Sequence, residues 1–401
     1  MRKSLPRRSA VTSRPFQAFP SLSQPFPATS ILPVSAAPPS LSRLLPRPVP
    51  RFLRLLLTLA IAAAAGGLCQ WLHSPLPWML GPLLGSAALS IVGVPLLASQ
   101  RLRNGGQWVI GTALGLYFTP EVLAQVLRLA PWTLLGAAWA LGLGHLFYRW
   151  LRWSMARAPG GAVDAGTAYF ATVIGGASEM AAFAERLGAR VDLVAAAHSL
   201  RVLLVVVTIP FTYQFAQIHG STPAPAAAVG VLPLGLLLLA AATAAGSWMM
   251  LRLRQPNPWV LGSLAVALAI TASGHTPSAL PPGLSQAAQL AIGVSLGTRF
   301  TPAFLHTAPR WLAAVAVGTL GMILASAGFA WVVAQAAGLE PAAVLLGNSP
   351  GGIAEMCITA KVLELGVPLV TAFHIVRYVI VLLLTGPIHR RFIAPVAAPQ
   401  S

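Results

Sequence analysis

The chain has 401 residues, 56% of them apolar and 8% charged, with a mean hydropathy of +0.74. That balance excludes an ordinary soluble protein, in which roughly a quarter of residues are charged. A formal charge of +18 would fit a nucleic-acid binder, but nine basic residues fall within the first 54 positions and most others flank apolar runs. They read as topology signals, and no direct nucleic-acid binding is expected.

Residues 1–50 are rich in Pro, Ser and Arg (Arg7, Arg8, Arg14, Pro38, Pro39, Pro46) and have no hydrophobic period, so they are expected to form a disordered cytoplasmic tail. The rival reading, a targeting peptide, lacks a compact apolar stretch before residue 52. Apolar segments follow at about 52–72, 78–98, 106–120, 132–153, 162–183 and 191–213, and again at 227–250, 258–274, 285–301, 311–336, 341–360 and 367–388. Backbone in lipid must be satisfied within helices or a closed barrel, and these runs are too long for barrel strands. The class is therefore an all-α polytopic membrane protein. Its expected divisions are a tail (1–50), a first membrane repeat (51–215), a loop (216–226), a second repeat (227–392) and a C-terminal tail (393–401).

The two sets of segments match residue by residue. Pro75-x-Pro77-Trp78-x-Leu80-Gly81 returns as Pro256-x-Pro258-Trp259-x-Leu261-Gly262. The stretch from Gln107 to Pro120 returns from Gln289 to Pro302 with eight identities in fourteen positions. Gly175-Gly176-Ala177-Ser178-Glu179-Met180 returns as Gly351-Gly352-Ile353-Ala354-Glu355-Met356, with Asp164 and Glu340 eleven residues ahead and the pairs His198/Arg201 and His374/Arg377 at equal distances behind. The duplication covers nearly everything after the tail.

Six full crossings per half would make the repeats parallel. If each Gly-Gly segment is instead broken or re-entrant, each repeat has five crossings and the repeats are inverted. Arg101, Arg103, Arg149, Arg152, Arg157, Arg186, Arg190, Arg252, Arg254, Arg299, Arg310, Arg390 and Arg391 then share the cytoplasmic side, and only Arg128 and Lys361 lie outside. The uncharged connections 73–77, 214–226 and 274–283 become external. Ten crossings, two broken segments and cytoplasmic termini are therefore expected.

Two adjacent glycines cost a helix about 1 kcal/mol each relative to Ala, so a break is expected at Gly175-Gly176 and at Gly351-Gly352. A helix restarting there would aim its first N–H groups and positive dipole end inward, with Glu179 and Glu355 in its first turn. Arg201 and Arg377, near the middle of apolar runs, cost about 2.5–3.5 kcal/mol each on insertion scales and need partners, for which Glu179 and Glu355 are the economical candidates. His198 and His374 share the face of those arginines and either relay protons or hydrogen-bond a carbonyl of the broken helix. The ten residues Gly175, Gly176, Glu179, His198, Arg201, Gly351, Gly352, Glu355, His374 and Arg377 form the candidate substrate-binding set.

Other features read as structural. Gly81-x-x-x-Gly85, Gly111-x-x-x-Gly115 and Gly293-x-x-x-Gly297 are expected helix-packing faces. Thr119-Pro120 and Thr301-Pro302 either stop their runs or open a second discontinuous element. Trp78, Trp132, Trp153, Trp259 and Trp311 sit at run ends, where an interfacial aromatic belt would lie. Cys69 and Cys357 have neither CxxC nor Cys/His spacing, so no disulfide framework, metal or cofactor is expected.

The duplicated Gly-Gly-x-x-Glu-Met phrase, the Pro-x-Pro-Trp-x-Leu-Gly opening and the two-half layout resemble the AbrB family of bacterial membrane proteins, often labelled ammonia monooxygenase. The resemblance covers about 52–392. Ile174 departs from the more usual Pro-Gly-Gly, which Pro350 keeps. The resemblance implies an inner-membrane protein linked to regulation of gene expression, and names no ligand. Three functions follow. The first is transport or sensing of a small solute at a midplane site, with any regulation indirect. The second is a membrane monooxygenase, for which His198, His374, Met180, Met356 and Cys357 would have to hold copper. The third is a non-transporting sensor signalling through the tail. The solute and the lipid bilayer are the expected partners, with room for a homo-oligomer, and non-enzymatic function is favoured.

Overall fold

In the computed structural model, residues 50–156, 163–220, 230–302, 304 and 308–393 are described. The tail, the centre of the inter-repeat loop and the C-terminal tail lie outside the described residues, as does Arg157. Among the described residues there are fifteen α-helices, a closing π-helical turn at His389–Ile393, and no strand.

The duplication is visible as matched elements. Repeat 1 supplies α1 (Arg51–Trp71), α2 (Pro77–Ile91), α3 (Gln100–Gly115), α4 (Pro120–Arg128), α5 (Ala130–Ala156), α6 (Ala165–Thr172), α7 (Ala177–Arg186) and α8 (Val191–Phe215). Repeat 2 supplies α9 (Pro233–Arg252), α10 (Pro258–Ala272), α11 (Leu284–Gly297), α12 (Pro309–Ala337), α13 (Pro341–Asn348), α14 (Ile353–Val362) and α15 (Val367–Ile388). The openings of α2 and α10 match in detail: Pro occupies the first helical position, and the preceding residues, Leu76 and Asn257, have φ of 46° and 48°.

Among the described residues, five helices, α1, α8, α9, α12 and α15, are long and apolar enough to cross a membrane. Phe52, Leu57, Leu234, Leu237 and Leu324 on three of them are more than half exposed, as lipid-facing side chains are. The chain is a multi-pass membrane protein. The runs expected at 78–98, 106–120, 258–274 and 285–301 form shorter helices of 15, 16, 15 and 14 residues. At 1.5 Å per residue these reach only about 21–24 Å, less than a hydrocarbon core of about 30 Å. Thr119 accounts for one early stop: it caps α4, its hydroxyl accepting from the Val122 amide, and the chain bends by 89° between α3 and α4. Of its repeat, residues 303 and 305–307 lie outside the described residues.

The helices sort into two bundles that cut across the repeats. In the first, α1 packs on α2, α2 on α11, α11 on α3, α3 on α10 and α10 on α9. In the second, α5, α6, α7 and α8 pack with α12, α13, α14 and α15. The bundles share one buried apolar cluster, in which Leu80, Ile110 and Leu114 of the first belong with Val205, Leu346 and Met356 of the second. The glycine motifs explain the tight seams of the first. A Cβ on Gly111 would strike the Val260 carbonyl and Ser263 Oγ, and one on Gly115 the Ala267 side chain and the Leu264 carbonyl. Gly293 and Gly297 press likewise on Met79, Leu83 and Ser86 of α2, and Gly81 and Gly85 on Ala65 of α1. These are the expected packing faces. Trp311 corrects the belt: it is 2% exposed, and its indole N–H donates to the Leu193 carbonyl at 3.2 Å inside the second bundle.

Candidate functional site

Both Gly-Gly segments are broken where expected. Helix α6 ends at Thr172 and α7 restarts at Ala177; α13 ends at Asn348 and α14 restarts at Ile353. Gly176 and Gly352 cap the restarted helices with extended backbone and no capping side chain, and Glu179 and Glu355 stand in the first turns.

A broken helix strands its last carbonyls without intrahelical partners, and inside a membrane protein each stranded group costs several kcal/mol. The His/Arg pair three residues apart on the following helix meets this need twice. His198 Nε2 donates to the Phe170 carbonyl at 2.9 Å, and Arg201 donates to the carbonyls of Val173 (3.0 Å) and Gly175 (3.3 Å) and to His198 Nδ1 (2.8 Å). His374 Nε2 donates to the Leu346 carbonyl at 3.0 Å, and Arg377 donates to the carbonyls of Ser349 and Gly351 (2.9 Å) and to His374 Nδ1 (2.7 Å). Because Nδ1 accepts from a guanidinium, each ring is neutral with its proton on Nε2. Both histidines are 0% exposed, and the arginines 2% and 5%.

This corrects the expected pairing. The arginines bond to the break and to histidine, not to the glutamates. Glu179 Oε1 instead accepts from the Tyr378 hydroxyl (3.0 Å) and the Asn257 side-chain amide (3.4 Å). For Glu355 the repeat-equivalent positions of these donors hold Val202 and Leu76, which have nothing to donate. Each glutamate folds back over its own N-cap, so that a Cβ on Gly176 or Gly352 would meet the Glu179 or Glu355 carboxylate.

All ten candidate residues line one cavity of about 110 Å³ between the two bundles. The second bundle contributes the breaks, the glutamates and the His/Arg pairs; the first contributes Arg103, Gln107, Asn257, Val260, Leu296 and Arg299. Sequence reasoning read Arg103 and Arg299 only as topology markers and missed Asn257 and Tyr378. The signal for Asn257 was available, since it replaces Leu76 inside an otherwise repeated motif.

The family described as "Transition state regulatory protein AbrB" matches residues 91–393, three quarters of the chain. The chain belongs to the AbrB family. A relative from Bacillus subtilis (strain 168), named "Uncharacterized protein YhjN", is 27% identical over 362 residues, covering 83% of this chain and 91% of its own. No solved structure matches. The AbrB match begins within α2 and includes both breaks and every wall residue of the cavity.

Proposed function

We propose that the protein binds a small solute in the cavity between its bundles and carries it across the bacterial inner membrane, with both termini cytoplasmic. The observation that carries this reading is the convergence of two equivalent broken helices, one from each repeat, on one cavity whose opposite wall belongs to the other bundle. Discontinuous helices meeting at a repeat interface are the arrangement secondary transporters use, with one bundle moving against the other about such a site.

Two further observations support it. Gly111 faces Val260 and Ser263 while Gly115 faces Leu264 and Ala267, so α3 runs parallel to α10. If direction alternates between α2 and α3, parallel packing of α3 on α10 requires inverted repeats. The cavity also reaches only one of two equivalent ends. Arg103 and Arg299 line it, whereas their repeat counterparts Ser285 and Tyr117 do not: Lys361 donates to Ser285 at 3.1 Å, and Tyr117 is buried. An asymmetric lining of this kind suits a single state of an alternating carrier.

Regulation, which the family description names, is then indirect, through the level of the solute. Copper chemistry is less well supported because both nitrogens of His198 and His374 are already engaged. Solute flux into proteoliposomes tests the proposal. Glu179→Gln with Glu355→Gln is expected to abolish flux, and unchanged flux removes the site assignment. Deleting residues 1–45 should leave flux intact, whereas a sensor signalling through its tail would lose its output.

A further inference from the structure

The cavity concentrates positive charge. Four arginines (Arg103, Arg201, Arg299, Arg377) and two glutamates (Glu179, Glu355) are its charged wall residues. The arginines crowd one another: Arg103 repels Arg299, and Arg201 is repelled by Arg377. Arg299 is attracted to Glu355, but neither its guanidinium nor that of Arg103 forms an ion pair or hydrogen bond with any described residue. Two helix N-termini add to the field. The first-turn residues Ala177, Ser178, Ile353 and Ala354 of α7 and α14 line the cavity; the N-cap glycines supply no capping side chain, and Glu179 and Glu355 fold back over them. A second observation points the same way. Arg201 Nε, on a side chain 2% exposed and lining the cavity, has no hydrogen-bond partner among the described residues. The Arg201 guanidinium thus keeps one unused donor at the cavity wall.

We propose that the solute is a small organic anion carrying a carboxylate, held between the arginines Arg103 and Arg299 of the first bundle and the α7 and α14 N-termini of the second. This rests on the solute-binding reading and names its chemical class. Guanidinium pairs and backbone amides fit planar carboxylate oxygens. Ile174, Val260, Leu296 and Ile353 interleave the charges and favour a carbon skeleton over an inorganic ion. The two glutamates halve the positive charge, which suits an anion of charge one or two. Because the anion would bridge both bundles, its binding would also draw them together.

The test uses full-length protein in detergent, titrated at fixed sodium chloride with acetate and succinate, with the neutral isosteres acetamide and succinamide, and with tetramethylammonium. The carboxylates are expected to raise the melting temperature saturably and the other probes to leave it unchanged. Arg299→Gln and Arg103→Gln should each weaken carboxylate affinity tenfold or more. They should leave the ligand-free melting temperature unchanged or higher, since each relieves a repulsion. A purely structural arginine would lower it. Carboxylate affinity that survives both substitutions overturns the proposal, as does binding of only neutral or cationic probes, which would leave the solute site standing. Absence of binding by every probe together with absence of flux overturns the solute reading itself.

Discussion

Replacing Arg377 by Leu removes three hydrogen bonds at once, to the Ser349 and Gly351 carbonyls and to His374 Nδ1. Two of the orphaned acceptors belong to residues that are 0% exposed, so water cannot replace the guanidinium freely. Hydrogen bonds to a charged group contribute about 1.5–3 kcal/mol each, which gives an upper bound of roughly 4.5–9 kcal/mol. The bonds form one network and are not additive, and losing the repulsion with Arg201 offsets part of the cost. A net loss of about 3–5 kcal/mol is expected, as for a buried charge pair stripped of one partner. Arg201→Leu should match it within about 1 kcal/mol, since its three bonds are the same. Equilibrium unfolding in mixed detergent micelles, followed by helical circular dichroism, would measure both. A coupling energy for His374→Ala with Arg377→Leu above about 0.5 kcal/mol would confirm that the two act as a unit. An Arg377→Leu protein as stable as the wild type would refute the claim that these bonds hold the break.

Glycine substitutions should divide by location. Gly111→Ala places a Cβ against the Val260 carbonyl and should cost about 1–3 kcal/mol or more, whereas Gly142→Ala meets nothing within 4 Å and should stabilise α5 by up to about 1 kcal/mol. The same unfolding assay separates them. Tyr378→Phe removes the hydroxyl that donates to Glu179 and should cost about 0.5–1.5 kcal/mol; Val202→Phe, at the equivalent position near Glu355, removes no bond and should show no such effect at the carboxylate. Infrared carboxylate bands in the two variants would report it. Inverted repeats predict that a cysteine at Arg254 is labelled by an impermeant thiol reagent only from the cytoplasmic side and one at His275 only from outside. The reverse pattern, Arg254 labelled only from outside and His275 only from the cytoplasm, would favour parallel repeats.

Much of this architecture is written in composition and repetition. Apolar runs with few charges leave no option but helices in lipid, because each backbone amide needs a partner there. Duplicated glycine pairs located both breaks to within a few residues, since adjacent glycines remove the side chains that favour helix, and they set Glu179 and Glu355 in the restarted first turns. The recurrence of one motif in each half likewise marked ten of the residues that line the cavity. Pairing was not legible. The arginines seemed to need carboxylates because sequence shows charges but not stranded carbonyls, and the carbonyls of Val173, Gly175, Ser349 and Gly351 become available only once the chain has broken in space. Nor could one strand of sequence show that α3 and α11 would bring Arg103 and Arg299 to face those breaks, because that approach depends on how helices from different repeats pack. Local chemistry and repetition determined the elements, and long-range packing decided which charges share a cavity.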